Sequence, residues 1–383
     1  MVLIREENEL LTQVRAGTPM GELLRRYWYP VAALQELSEE QPTRFVRILG
    51  EDLVLFKDKS GRVGLIQDHC VHRGASLLYG RPEERGIACA YHGWLYDVSG
   101  NCLETPAEPA DSKLYLTVKA KAYPVQPFLG LYWAYLGPAP APVIPKFDVW
   151  VRKDYKHWLI LGPRLDCNWF QAIENAVDPY HSAILHQDAN GREPLPNTTR
   201  GIVDTIDRIE CFPTSYGVMK RHYYKEGWTR QHPFIFPNIL ALGRVTQVNV
   251  PVDETHMARY RICFGARGED DPEDGAELPV TYHGAHKVPG DKVHPYARFD
   301  LHAEVESQDY IAWETQGPVA DRTVERLATS DRWIVQQREM FRENIEQVQR
   351  GEDPFGVIRD PDHEPIATDM YQERSDRYAN VRG

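Results

Sequence analysis

Two short pairs of metal-ligand residues, Cys70-x-His72 and Cys89-x2-His92, stand sixteen residues apart and are the first feature of this chain that could do chemistry. Thiolate and neutral imidazole in equal number suit a [2Fe–2S] cluster, with two cysteines on one iron and two histidines on the other. Replacing thiolate by imidazole lifts the reduction potential to roughly −150 to +300 mV, well above an all-cysteine plant-type cluster. Such a site takes electrons from a flavin or ferredoxin and passes them to something more oxidising. Gly74 and Gly93 follow the two pairs and let backbone amides approach the sulfides. A structural Cys2His2 zinc site is the competing reading. Zinc modules usually group cysteine with cysteine and histidine with histidine, which this spacing does not do.

A second constellation lies in Asn175-Ala-Val-Asp178-Pro-Tyr-His181-Ser-Ala-Ile-Leu-His186, with two histidines and a carboxylate close together. Non-haem Fe(II) oxygenases need two imidazoles and one carboxylate on one face of the metal. Five residues at about 100° each set His181 and His186 about 140° apart on an ideal helix, so the spacing predicts a break or bulge between Ser182 and His186. Asp178 precedes His181 by one turn and is suited to accept an N–H from a ligand histidine. The third ligand must come from elsewhere. The run Glu304-Val-Glu306-Ser-Gln-Asp309-Tyr-Ile-Ala-Trp-Glu314 holds the best carboxylates, with Asp309 the choice and Glu306 the reserve. The bland alternative makes His181 and His186 ordinary surface or core histidines and Asp178 a turn residue before Pro179. His283 and His286 form a rival pair, but among Gly, Pro and Lys they read as loop.

The elements that must position these residues are legible in the patterning. Leu10, Leu11 and Val14 share a helical face, and Thr18-Pro19 reads as an N-cap with proline opening a second short helix. Val46 to Leu49, Leu53 to Phe56, Val63 to Ile66, Ala88 to Tyr91, Leu116 to Val118 and Leu131 to Tyr135 read as strands of a small antiparallel β-domain carrying both ligand pairs. A second region reads as strand from His157 to Leu161 and helix from Trp169 to His186. Extended runs follow at Ile202–Phe212, Val218–Tyr224, Leu240–Val250 and Ala258–Phe264. In the last, Ala258, Tyr260, Ile262 and Phe264 alternate with Arg259, Arg261 and Cys263, the pattern of a half-buried strand. A closing helix runs from about Asp331 to Arg350, and Gly351 stops it. The expected class is α+β, a curved antiparallel sheet wrapped on long helices with a pocket between. The expected division is 1–43 N-terminal helices packing on the catalytic domain, 44–136 the cluster domain, 137–147 a stiff proline-rich linker, and 148–383 the catalytic domain.

The net charge of −12 argues against a nucleic-acid or anionic-membrane surface. The longest apolar run, Phe128 to Leu136, falls short of the roughly 20 residues a span needs. Glu6, Glu7 and Glu9 stand where a secretion signal would be basic and then apolar, so the cytoplasm is the expected location. Cys102, Cys167, Cys211 and Cys263 form no framework and read as reduced, mostly buried residues.

Taken with Gly17-Thr-Pro-Met-Gly-Glu-Leu-Leu-Arg-Arg-Tyr-Trp28, Asn168-Trp-Phe-Gln171 and Gln308-Asp309 running into Asp321-Arg322, these motifs resemble the Rieske non-haem iron oxygenase α-subunits over nearly the full length. Within them the chain looks most like the phthalate 4,5-dioxygenase-like group, which includes O- and N-dealkylases. Val71 departs from the proline usual in the first cluster loop and bears on loop stiffness, not on the ligands.

The resemblance implies a Rieske domain plus a helix-grip catalytic domain. It assigns Cys70, His72, Cys89 and His92 to the cluster and His181, His186 and Asp309 to a mononuclear Fe(II). It implies electrons from NAD(P)H through a separate flavin and iron–sulfur reductase or ferredoxin, and a head-to-tail homotrimer, or a stacked hexamer, in which Asp178 bridges the cluster of one subunit to His181 of the next. The reaction it implies is hydroxylation of an aromatic compound by O2, or its oxidative O- or N-demethylation. His222, Tyr224, Phe236, Asn238 and Arg244 are weak candidates for the pocket that decides between these outcomes. A Rieske-type electron carrier or a zinc-stapled binding module is the alternative, although a carrier needs only the first ~150 residues.

Overall fold

A computed structural model describes residues 3–186, 206–283, 305–368 and 370. His286, Glu304 and the start of the run expected at Ile202–Phe212 lie outside the described residues.

Two four-stranded antiparallel sheets carry the first ligand pairs. One runs Thr43–Ile48, Glu51–Lys57, Val63–Gln67, Ala122–Tyr123, and the other Arg81–Glu83, Gly86–Ala88, Leu95–Tyr96, Cys102–Glu104. Val54, Phe56, Ile66, Ile87 and Tyr96 are fully buried in one small core with Cys70 and Cys89, so the same apolar packing that closes the sheets encloses the thiols. Leu131–Tyr135 forms as expected and pairs with Val125–Phe128 on one side and Trp28–Ala33 on the other. That last strand escaped the sequence reading because it contains Pro30. It is an outer strand whose register shifts between Pro30 and Ala32, the setting in which a strand tolerates proline. Leu116 to Val118, expected as strand, is a 3-10 turn at Leu114–Thr117 with Leu116 exposed. Ala88 to Tyr91 stops at Ala88, where the chain turns into the second ligand loop.

The remainder is built on an eight-stranded sheet in the order Ile206–Thr214, Gly217–Tyr224, Thr229–Ile235, Ile239–Leu242, Val245–Pro251, Met257–Ala266, Tyr155–Leu161, Val280–Tyr282. All pairs are antiparallel except the last, which is parallel. The run Leu240–Val250 is two strands, because Gly243 at φ 56° turns the chain. The alternation in Met257–Ala266 does not mark a solvated face. Arg259 and Arg261 are 2% and 5% exposed, covered by helix Val305–Glu314, whose Glu306 pairs with Arg261.

Helices Trp169–Val177 and Arg332–Gln349 pack together over this sheet. The Phe341 ring lies 5.7 Å from Trp169, 5.3 Å from Phe170 and 4.7 Å from Phe236. Each such buried aromatic contributes roughly 1.5–3 kcal/mol. The helix expected over Trp169 to His186 is two: it stops at Val177, resumes at His181–Ile184 and ends before His186. Pro179 lacks the N–H and forces Asp178 into extended backbone, φ −68° and ψ 119°. The expected end between Ser182 and His186 is therefore present, with a second break before it.

The proline-rich segment is braced by the C-terminal stretch. Val143 N donates to Ile358 O at 3.0 Å, Ile366 N to Lys146 O at 2.8 Å, and Asp148 N to Ile366 O at 2.9 Å. Among the described residues no helix is long and apolar enough to cross a membrane.

Candidate metal centres

Each ligand pair of the first centre sits on a tight loop closed by its own backbone. Gly74 N donates to Cys70 O and Gly93 N to Cys89 O, and both glycines hold φ near +74°, a conformation side chains resist. The loops face one another with the histidines outward. The His72 and His92 rings are 4.6 Å apart, and His72 stacks on Trp94 at 4.5 Å. Cys70 and Cys89 lie inside, 3% and 2% exposed, and the Tyr96 hydroxyl approaches Cys70 Sγ at 3.2 Å. Burial and then the Cys89 sulfur push the Cys70 thiol up, against the pull of Tyr96 and the His72 amide. Tetrahedral zinc would need all four donors around one point. Among the described residues the group of three donors lying within 4.8 Å of one another is a different one, His181, His186 and Asp309.

In that second group the hydrogen bonds fix which nitrogen is free. His181 Nδ1 donates to Asp178 O at 3.0 Å and His186 Nδ1 donates to Gln308 Oε1 at 2.8 Å. Each imidazole proton is thereby held at Nδ1, and both Nε2 lone pairs are left to ligate. His186 Nε2 lies 3.2 Å from Asp309 Oδ1, yet this buried oxygen has no hydrogen-bond partner. His181, His186 and Asp309 each bring one donor atom to within 4.8 Å of the others, the spacing a single cation can bridge. Behind Asp309, Arg259 Nη1 stands 4.0 Å from Oδ2, itself held by Asn249 at 2.9 Å and by the Trp313 ring. Burial pushes the Asp309 carboxyl up, but His186, His181 and Arg259 bring it below the ordinary carboxylate range. Glu306, the reserve ligand, is turned to Arg261 instead. The donor set suits iron(II) with open positions.

Comparison with known proteins agrees with these two centres. Residues 27–124 match the Rieske [2Fe-2S] domain and residues 298–373 match the family described as LigXa C-terminal domain like. The 5,5'-dehydrodivanillate O-demethylase oxygenase subunit of Sphingobium sp. (strain NBRC 103272 / SYK-6) is 37% identical over 94% of this chain and 84% of its own length. The phthalate 4,5-dioxygenase oxygenase subunit of Pseudomonas putida is 34% identical over 93% and 89%. The chain belongs to the Rieske non-haem iron oxygenases. It is the oxygenase component of a multicomponent system, with a Rieske cluster, a mononuclear iron and electrons from a separate reductase or ferredoxin. The NdmA structure of Pseudomonas putida CBB5, a mutant with theobromine, shares the fold at TM-score 0.63 and 22% identity, over 90% of this chain and 98% of that one.

Two supports of the His181, His186 and Asp309 group of this Rieske oxygenase were not foreseen as such. Glu174, 9% exposed, meets Arg322 Nη2 and Arg338 Nη2 at 2.6 Å each and anchors the helix that ends at Asp178. Burial pushes its carboxyl up, and the two guanidiniums more than reverse that. Its signal in the sequence was only its place directly before Asn175, at the head of the second constellation. Lys220, 2% exposed, donates from Nζ to Asp178 O at 3.3 Å. Burial pulls Lys220 down to about 8 and pulls His222 down to about 3, the latter with help from Lys220 and Arg230. Of the weak pocket candidates His222 is on this face. Tyr224 stacks on Trp228, and Arg244 is an exposed turn residue. Phe236 and Asn238 line a separate cavity of about 250 Å³ with Tyr27, Trp28 and Trp150.

Proposed function

We propose that Cys70, His72, Cys89 and His92 hold the [2Fe–2S] cluster, that His181, His186 and Asp309 hold the single iron, and that the substrate is an aromatic compound. The gathering of one donor atom each from His181, His186 and Asp309 within 4.8 Å carries this reading. When bound there, ferrous iron supplies O2 activation with positions open toward a substrate. The chain's residues keep that face in order. Asp178 and Gln308 hold the imidazole protons away from it, and Arg259 steadies Asp309. The Asp178 side chain caps the following turn, accepting from Tyr180 N at 2.8 Å, and stays partly exposed. A neighbouring subunit's cluster histidine can reach it there, as the head-to-tail trimer requires. Val71 and Tyr91, 44% and 58% exposed beside the outward histidines, are consistent with a face that another subunit or the reductase covers. The division 44–136 for the cluster and 148–383 for the iron belongs to this proposal, although the Rieske match runs over 27–124 and strand Trp28–Ala33 pairs with Leu131–Tyr135.

The relative named an O-demethylase favours hydroxylation at a methyl carbon of an aryl ether, whose hemiacetal breaks into a phenol and formaldehyde. The relative named phthalate 4,5-dioxygenase favours ring hydroxylation as the second reading. Turnover with a partner reductase, NADH and one methoxylated and one unsubstituted aromatic separates them: stoichiometric formaldehyde marks the first and a ring diol or phenol the second. Iron analysis tests the site assignment, two irons for the cluster and one for the facial site. Two irons alone, with no oxygen uptake on either aromatic, refutes the proposal.

A further inference from the structure

Strand Gly217–Tyr224 turns Lys220 and His222 to the same face, and His232 on strand Thr229–Ile235 is directly opposite Lys220. All three are buried, at 2%, 2% and 6% exposure. His222 Nε2 and His232 Nε2 have no hydrogen-bond partner, and Lys220 has one partner among the described residues, the Asp178 carbonyl. The two imidazole rings lie 5.5 Å apart. Arg230 stands opposite His222 and adds a second cation, while Cys211 stands opposite Lys220 on the other neighbouring strand and brings no carboxylate. The carboxylates acting on this face, Asp178 and Asp309, belong to the helical layer across from it. A buried polar group left unmade costs about 1–3 kcal/mol, so two such ring nitrogens beside a buried ammonium with one hydrogen bond call for an occupant.

Resting on the aromatic-oxygenase reading, we propose that Lys220, His222 and His232 form an anchor for the carboxylate of an aromatic acid, and so determine which substrates are presented to the iron site. Lys220 supplies the charge and a hydrogen bond beside Asp178, and the two neutral imidazoles supply N–H donors. An amine would add a further cation to a face that already holds Lys220 and Arg230. A carboxylate has the lone pairs to accept from donors on both strands.

Equilibrium binding to the oxidised holoprotein, by calorimetry and without turnover, tests this. The probes are 3-methoxybenzoate, its methyl ester and 3-methoxyphenol. The acid is expected to bind about tenfold or more tighter than the ester or the phenol, the scale of a hydrogen bond to a charged group. Lys220→Met is expected to erase that preference and Lys220→Arg to retain part of it, with affinities compared per measured iron. Equal binding of acid and ester by the wild type overturns the anchor and leaves the aromatic reading standing. Failure of all three to bind overturns both. Should Lys220→Met not fold, the wild-type comparison and His232→Phe, expected to weaken the acid and not the ester, decide the question.

Discussion

Glu174 is the perturbation with the clearest expected size. Its carboxylate is buried between Arg322 and Arg338, so Glu174→Gln keeps the shape and leaves two interior guanidiniums short of a counter-charge. Removing one partner of a buried ion pair costs about 3–5 kcal/mol. Arg338 keeps Glu325, and Arg322 keeps hydrogen bonds to Asn8 and Ala320, which puts the loss near the lower end, about 3 kcal/mol. With a guanidinium slope of roughly 2–6 kcal/mol/M, the unfolding midpoint read by tryptophan fluorescence falls by about 0.5–1.5 M. The acid limb changes too. The folded-state pKa of Glu174 lies below its ordinary value of 4.5, so its contribution is complete above pH 4.5 and is lost as pH falls through the folded pKa. The variant is expected to show a flatter loss of stability in that window. Because the anchored helix ends at Asp178, the single iron should leave the variant earlier in the titration than the cluster's visible absorbance does. A midpoint within about 0.2 M of wild type, with the acid limb unchanged, refutes the reasoning.

Asp178→Asn is expected to keep both metal contents by iron analysis while turnover collapses; loss of iron, or full activity, contradicts the bridging role. His181→Ala should lose the single iron and retain the cluster's brown absorbance, and a colourless protein would overturn the division of ligands. Tyr96→Phe removes the hydroxyl that approaches Cys70 Sγ. Hydrogen bonds to cluster sulfurs stabilise the reduced state, so protein-film voltammetry should find the potential lowered, and an unchanged or higher value counts against that contact.

The two candidate centres were readable because most of their residues are close in sequence and chemically unusual. The proposed third iron ligand was harder. Asp309 and Glu306 are three residues apart on one helix, and what separates them is Arg261, brought from a distant strand to claim Glu306. Thr18 capped its helix as read, its Oγ1 accepting from Gly21 N. The double break around Pro179 was half seen: convergence of the histidines demanded an end before His186, while the proline's effect on Asp178 was passed over. Lys220 and His232 carried no such sign, since they stand in the polar runs Lys220-Arg221-His222 and Thr229-Arg230-Gln231-His232. Their burial depends on the helical layer, which no single strand reports.

The bracing of residues 137–147 by the stretch through Ile366 means that this proline-rich segment is splinted by chain far downstream. A truncation after Gln349 would strip that splint while sparing every residue proposed as a metal ligand. Such a protein is expected to assemble both prosthetic groups and then pass electrons poorly, through slack in its scaffold.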